Sequence, residues 1–351
     1  MTAVSGLGPW EGDDVLEAQT AVVGDLTSTP TGVDGLPFLV QLPGRGYGAG
    51  PTGRGTVFLA ELAAELGPHG WKLADRPGRD SMRAAALLRQ DLDALAVGAY
   101  GYVGPLVVSV TGPLTLAANL YLARGDRVLS DVGAVRELAE SLGAGVAAHL
   151  DAVRVAVPGA APVVVLDESR LAEVLLGRVS TFSGNSVFRA VASGIVSERL
   201  RTVADAARGA GAGRVVVHSG ASWVPVRAMV AAGADGVGLT VEGFSSQGWE
   251  RIGEAVEQGV QLWAGLPPAS GEVAPRRGSG RAGARAAGPD VLAQAEELLR
   301  PWGRLGLPVA ALRDVVLLAA GPPDAPTPDA ARRALADVVR AAEVVAERAE
   351  G

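Results

Sequence analysis

Two short apolar runs each end in side chains that can move a proton. Val163-Val164-Val165-Leu166 runs into Asp167-Glu168, and Val215-Val216-Val217 runs into His218. A third run, from Asp235 to Val241, follows a short helical pattern and closes at Glu242. A carboxylate can hold an ammonium group or act as a general base, and an imidazole does acid–base work near neutral pH. Adjacent side chains at a strand end point to opposite sides, so only one of Asp167 and Glu168 can face a shared mouth. His218 and Glu242 are metal-ligand types within reach of neighbouring strands, but a zinc site takes three or four ligands. The plainer readings are that Asp167 caps a helix beginning near Ser169 and that His218 is a structural histidine.

Cations gather in three places. Residues 42–55, Leu42-Pro43-Gly44-Arg45-Gly46-Tyr47-Gly48-Ala49-Gly50-Pro51-Thr52-Gly53-Arg54-Gly55, read either as a backbone cradle for an anion, with Arg45 or Arg54 as the cation, or as a long flexible connection. In Asp75-Arg76-Pro77-Gly78-Arg79-Asp80 the arginines either bind a carboxylate bidentately or pair with the flanking acids, and Asp80 is positioned to cap a helix starting at Ser81. Residues 268–289 carry Arg276, Arg277, Arg281 and Arg285 among small residues. That stretch reads as a basic loop over a site or as a disordered insertion.

What positions these groups is a regular alternation. Strand patterns fall at 4–8, 37–41, 105–111, 162–167, 214–218, 235–241, 260–265 and 314–319, with a weaker one at 71–74. Helical patterns fall at 13–25, 56–66, 80–97, 113–123, 131–155, 187–209, 223–232, 247–258, 289–300 and 328–349. Thr327-Pro328 is a strong start signal for the last of these. Continuous Val/Leu runs are the mark of strands buried on both faces of a parallel sheet. About eight such units in 351 residues point to one (β/α)8 TIM barrel over 1–351, with a doubly wound sheet as the other candidate. No Gly-x-Gly-x-x-Gly follows an early strand, which removes the usual support for dinucleotide binding.

Composition narrows the chemistry. The chain has no cysteine, which excludes disulfides, thiolate ligands and a thiol nucleophile. Its net charge of −7 argues against nucleic acid as a partner. No apolar run reaches the roughly 18 residues of a membrane span. The first residues, Met1-Thr2-Ala3-Val4-Ser5, lack the pattern of a secretory signal, so the expected location is cytoplasmic.

Taken in order, the motifs resemble a family. They are Pro37-Phe38-Leu39-Val40-Gln41-Leu42-Pro43 with Arg45-Gly46, Gly70-Trp71-Lys72-Leu73-Ala74-Asp75-Arg76-Pro77-Gly78-Arg79-Asp80, Thr111-Gly112-Pro113-Leu114-Thr115-Leu116, Leu166-Asp167-Glu168, Val215-Val216-Val217-His218-Ser219 and Trp263-Ala264-Gly265-Leu266-Pro267. Their order and spacing resemble the cobalamin-independent methionine synthases, in the short single-barrel form that corresponds to the catalytic C-terminal domain of the long enzymes.

The resemblance implies a (β/α)8 barrel and zinc-dependent methyl transfer from a methylated folate or related carrier to the thiol of homocysteine. Zinc would hold that thiol as a thiolate nucleophile. The family's ligands are a histidine, a cysteine two residues later, an acid on the following strand and a cysteine ending the last strand. Here these positions fall on His218, Gly220, Thr240 (or Glu242 with two residues inserted) and near Gly321. The family's opening motif is also altered, to Gly6-Leu7-Gly8-Pro9-Trp10-Glu11, whereas the acid that takes the homocysteine amino group is kept as Asp167. The expectation is a divergent barrel that keeps a pocket for a homocysteine- or methionine-like ligand and has lost the zinc–thiolate chemistry. Asp167, Glu168, Arg45 and Arg79 are its expected substrate-side residues, with His218 as acid/base group. The alternatives are an active methyltransferase, either on a non-thiol acceptor or with a weakened metal site on His218 and Glu242, and a non-catalytic binding or scaffold subunit.

Overall fold

The structure, a computed structural model, describes residues 1–269, 290–319 and 327–351. Among the described residues are ten strands: β1 Thr2–Ser5, β2 Val33–Gly35, β3 Ala63–Gly67, β4 Gly70–Ala74, β5 Val103–Thr111, β6 Gly159–Asp167, β7 Arg214–His218, β8 Gly236–Thr240, β9 Gln261–Leu266 and β10 Val316–Ala319. The helices are α1 Val15–Thr27, α2 Pro51–Val57, α3 Arg79–Gly98, α4 Pro113–Asn119, α5 Val132–Ala156, α6 Leu171–Leu176, α7 Ser193–Gly209, α8 Val226–Ala231, α9 Ser246–Glu257, α10 Val291–Arg304 and α11 Pro328–Glu350.

Eight strands form one parallel sheet in the order β2-β1-β10-β9-β8-β7-β6-β5. Its two edges meet. Leu39 N–H donates to Val107 O at 2.9 Å and Val107 N–H donates to Pro37 O at 2.8 Å, so the chain just beyond β2 closes on β5. Closure gives both edge strands a hydrogen-bonding neighbour. The register gives the barrel's shear directly. Starting at Thr111, the paired residues are Asp167, His218, Gly238, Trp263, Val316, Ala3 and Asp34. The Phe38–Val107 bridge sets Thr111 level with position 42, eight residues beyond Asp34. Eight strands with a shear of eight is the geometry of the (β/α)8 barrel, and its helices form the outer ring.

The strands are built from what a doubly covered sheet requires. Val163 to Leu166 and Val215 to Val217 are buried throughout. Their β-branched side chains pack on both faces of the pleat. Several helices begin where an N-cap side chain takes up free amide hydrogens. Asp14 caps α1, Asp131 caps α5, Ser245 caps α9, and Thr327 caps α11 with Pro328 in its first turn.

Four local expectations are corrected. The helical pattern at 56–66 is split: α2 ends at Val57, and Ala63–Gly67 pairs antiparallel with Gly70–Ala74 as a ribbon outside the barrel. Leu59 to Leu66 has helical spacing, but Glu61 is left-handed with φ 62° and breaks the run, and the cross-strand pairing to β4 wins. The weak strand at 71–74 is therefore real but lies in this ribbon, not in the barrel wall. Asp80 is not a cap, because α3 already begins at Arg79 with Gly78 as its N-cap. The last long helix before β7 begins at Ser193 rather than 187, since 180–187 folds back through a Ser180–Val187 bridge. Most of the Arg-bearing stretch at 268–289 lies outside the described residues, as does Gly321. Among the described residues no helix is long and apolar enough to cross a membrane.

Candidate active site at the carboxyl rim of the barrel

Parallel pairing carries Thr111, Asp167 and His218 to the same level at the carboxyl ends of β5, β6 and β7. In-register residues of a parallel sheet point the same way, so the three side chains share one side of the rim. The Asp167 Oδ1 to His218 Nδ1 separation is 3.8 Å, with Asp167 about one-third exposed (32%) and His218 nearly enclosed at 8%. Thr111 is buried, and its hydroxyl donates to Pro51 O at 3.0 Å, tying the start of α2 to the rim.

The imidazole has a defined seat. Gly220 N–H donates to His218 Nδ1 at 3.3 Å, which assigns the neutral ring's proton to Nε2. On the next strand a Cβ at Gly238 would lie 2.8 Å from His218 Cδ2, so the ring lies across a position that only glycine leaves open. Gly236 makes the same allowance for Val216 and for Trp263, which is fully buried in the barrel.

Asp167 and Glu168 part ways as strand alternation requires. Asp167 keeps its carboxylate on the rim, where Oδ1 accepts Ser169 N–H at 3.2 Å. The helix after it begins only at Leu171 with Arg170 as N-cap, so Asp167 shapes the turn rather than capping the helix. Glu168 turns back into the wall and is fully buried. Its two oxygens accept Leu114 N–H at 2.8 Å and Thr115 N–H at 2.7 Å, the free amides at the start of α4. Thr115 Oγ1 in turn accepts Arg170 N–H at 3.1 Å. Gly112 stands where any side chain would strike the Glu168 carboxyl at 2.5 Å. Burial pushes the Glu168 pKa up to about 7, against the pull of these hydrogen bonds, and the nearby Asp167 charge adds to the rise. The sequence pattern gives Glu168 a place on the substrate. Its placement makes it the clasp between β6 and α4 instead.

Of the arginines expected at the substrate, Arg45 is held in an ion pair and Arg79 is exposed. Arg45 and Arg54 both pair with Asp91 of α3, and that carboxylate is wholly enclosed. The glycine-rich stretch is thus folded: a short 3-10 turn at Pro43–Arg45, then α2, both fastened to α3. The Arg45 guanidinium is committed to Asp91. Arg79 is exposed in the first turn of α3 and makes no ion pair among the described residues. The alternative that Arg76 and Arg79 pair with Asp75 and Asp80 is likewise not seen among those residues. Asp91 and His149 were not singled out by the sequence pattern. Each sits on the buried face of its helix, Asp91 with Ala84, Leu88 and Leu95, and His149 with Leu142, Val146 and Val153. A titratable side chain at an apolar helical position was the available signal.

The described residues at the positions that the resemblance gives to zinc carry too few donors for the metal. Gly220 carries no donor and is left-handed, with φ +65°. Its N–H occupies the lone pair of His218 Nδ1. Thr240 ends β8, and Glu242 is exposed beyond it. Among the described residues no three His, Asp or Glu side chains are gathered closely enough to hold a metal ion. A hollow of about 600 Å³ lies at the other end of the barrel, lined by Arg214 and Gln261 at the starts of β7 and β9 and by Asp235 and Asp314 just before β8 and β10. The chemistry-bearing side chains are on the carboxyl rim, and in this fold that rim is where sites form.

The chain matches no protein-family model and no curated protein. Among solved structures it is similar to a B12-independent methionine synthase from Shewanella sp. W3-18-1 in complex with selenomethionine. That match has a TM-score of 0.53 and 11% identity, and it covers 99% of this chain and 97% of that one. Matches to the carboxyl transferase domain of Rhizobium etli pyruvate carboxylase, at 11% identity over 74% of this chain and 43% of that one, have a TM-score of 0.27 and carry no weight. The first match agrees with the register in defining the class: a methionine-synthase-like (β/α)8 barrel fold. At 11% identity it speaks for the fold alone.

Proposed function

We propose that the chain is a divergent member of the cobalamin-independent methionine synthase family that binds a small amino acid of the methionine or homocysteine type and has lost the zinc–thiolate chemistry. The observation that carries this is the Asp167–His218 pair at the carboxyl rim, 3.8 Å apart, with no thiolate or third ligand beside it among the described residues. Asp167 offers a partly exposed carboxylate to a ligand ammonium group through a charge-assisted hydrogen bond. His218, with its proton on Nε2, offers one donor to the ligand and is the rim's acid/base group. Support for the ligand class comes from the order of sequence motifs and from the full-length fold match, whose protein was crystallised with selenomethionine.

Zinc, if it were bound, would hold the homocysteine thiol as a thiolate nucleophile. Two missing thiolates remove most of the affinity of such a site, on a scale of roughly 10 kcal/mol or more for a whole structural zinc site. The test has two arms. Thermal unfolding with and without L-methionine or L-homocysteine is expected to show a shift in the wild-type protein that Asp167→Asn abolishes. No shift with either ligand counts against the reading. Elemental analysis of the purified protein is expected to find no stoichiometric zinc. Zinc at one per chain, together with methyl transfer to homocysteine that His218→Ala removes, would instead establish an active methyltransferase.

A further inference from the structure

The Arg45–Asp91–Arg54 cluster is not used by the ligand site, and its charges do not balance. Asp91 gives one carboxylate oxygen to each guanidinium, so a single negative charge is shared by two cations. Arg45 Nε, Arg54 Nε and Nη2, and His149 Nε2 remain buried with no partner among the described residues. Arg54 and His149 are each 5% exposed and Asp91 is 0% exposed. His149 adds no charge. Its burial, reinforced by Arg54, pushes its pKa down to about 3. Burial lowers the Arg54 pKa, the Asp91 carboxylate beside it opposes that, and the Arg45 charge adds to the lowering. Two guanidinium cations therefore face one carboxylate in an enclosed space.

Buried donors without acceptors are rare, and an uncompensated buried charge is costlier still. Water would satisfy the donors but leave the charge in place. An anion does both. The geometry points to a binding site for a small monovalent anion of the chloride class, enclosed between the 43–57 segment, α3 and α5. The valence follows from an excess of one positive charge. The small size follows from the enclosure, since the most exposed side chain of the cluster is Arg45, at 11%. The bound anion would bridge Arg54 to Arg45 beside the His149 ring, pinning the glycine-rich segment to the helical wall. This inference is independent of the ligand assigned to the rim.

Crystals of the whole protein soaked in bromide give the direct test. An anomalous peak within hydrogen-bond distance of the Arg54 guanidinium is expected. Water there, with bromide bound elsewhere, overturns the proposal. In solution, thermal unfolding in sodium chloride is compared with sodium gluconate at equal ionic strength. The midpoint is expected to rise by roughly 2 °C per tenfold increase in chloride above its dissociation constant, from the average unfolding entropy of a chain this long. Equal midpoints in the two salts overturn it. Arg45→Gln removes the excess charge and keeps the Arg54–Asp91 pair, so its midpoint is expected not to respond to chloride. A response as large as the wild type's also overturns the proposal. If that variant does not fold, the wild-type bromide map decides.

Discussion

Replacing Glu168 by glutamine tests how the rim is held together. The wild-type carboxyl is fully buried against α4, and its pKa is raised from 4.5 to about 7 chiefly by that burial. An acid with a raised folded-state pKa binds its proton more tightly folded than unfolded. Its favourable contribution is complete below the unfolded pKa of 4.5 and is lost as the pH rises through about 7. A rise of that size corresponds to about 3 kcal/mol. The group is completely enclosed, so solvent does not screen this figure. The glutamine side chain would keep a similar shape, with one acceptor and one donor group, and cannot ionise. The assay is urea unfolding of both proteins across the interval from the unfolded pKa to about one pH unit above the folded one. The wild type is expected to lose about 3 kcal/mol relative to Glu168→Gln over that range and then level off. Other titrating groups are shared by the two proteins and cancel in the difference. A flat difference would refute the reasoning. A wild type that gains on the variant as the pH rises would show that the amides of Leu114 and Thr115 outweigh the cost of burying the charge.

Three further outcomes are expected. Asp167→Asn should weaken binding of L-methionine by roughly 10- to 100-fold in calorimetry, the range for losing a hydrogen bond to a charged group, and barely change the unfolding midpoint. Gly220→Cys should not rebuild a metal site. Its Cβ would find ordinary contacts with Ser169 from 3.6 Å, so the left-handed backbone sets the penalty, roughly 1–2 kcal/mol in denaturant unfolding, and zinc titration should show no tight binding. Gly238→Ala should destabilise by roughly 1–3 kcal/mol because its methyl collides with the His218 ring, and ligand binding should fall with it. A Gly238→Ala protein with unchanged affinity would mean that the seat of His218 does not matter to the rim.

The barrel was largely legible because its signals are local. A Val run of strand length, a Thr-Pro start to a helix and an apolar stripe along α5 each report their own element without knowledge of the others. The misread stretch is instructive for the same reason. Leu59 to Leu66 has the spacing of a helix, and only pairing with Gly70–Ala74 makes part of it a strand. The rim was half legible. Asp167 and His218 could be named as strand-end groups, but Glu168 could not be set apart from its neighbour until α4 was seen to supply two free amides. Nothing in the sequence pattern ties Arg45 and Arg54 to Asp91; only the tertiary structure brings that carboxylate of α3 between them.

By itself the sequence determined the alternation of strands and helices, and the absence of sulfur ligands beside the one histidine that ends a strand. Those are properties of single segments and of composition. The tertiary structure alone decided which side chains meet. The parallel register levels Asp167 with His218, although 51 positions separate them in the chain. The shear of the closed sheet sets which residues share a row. Burial then decides which acid stays on the rim and which becomes a clasp. Adjacency of this kind is a matter of long-range packing, which no local pattern encodes.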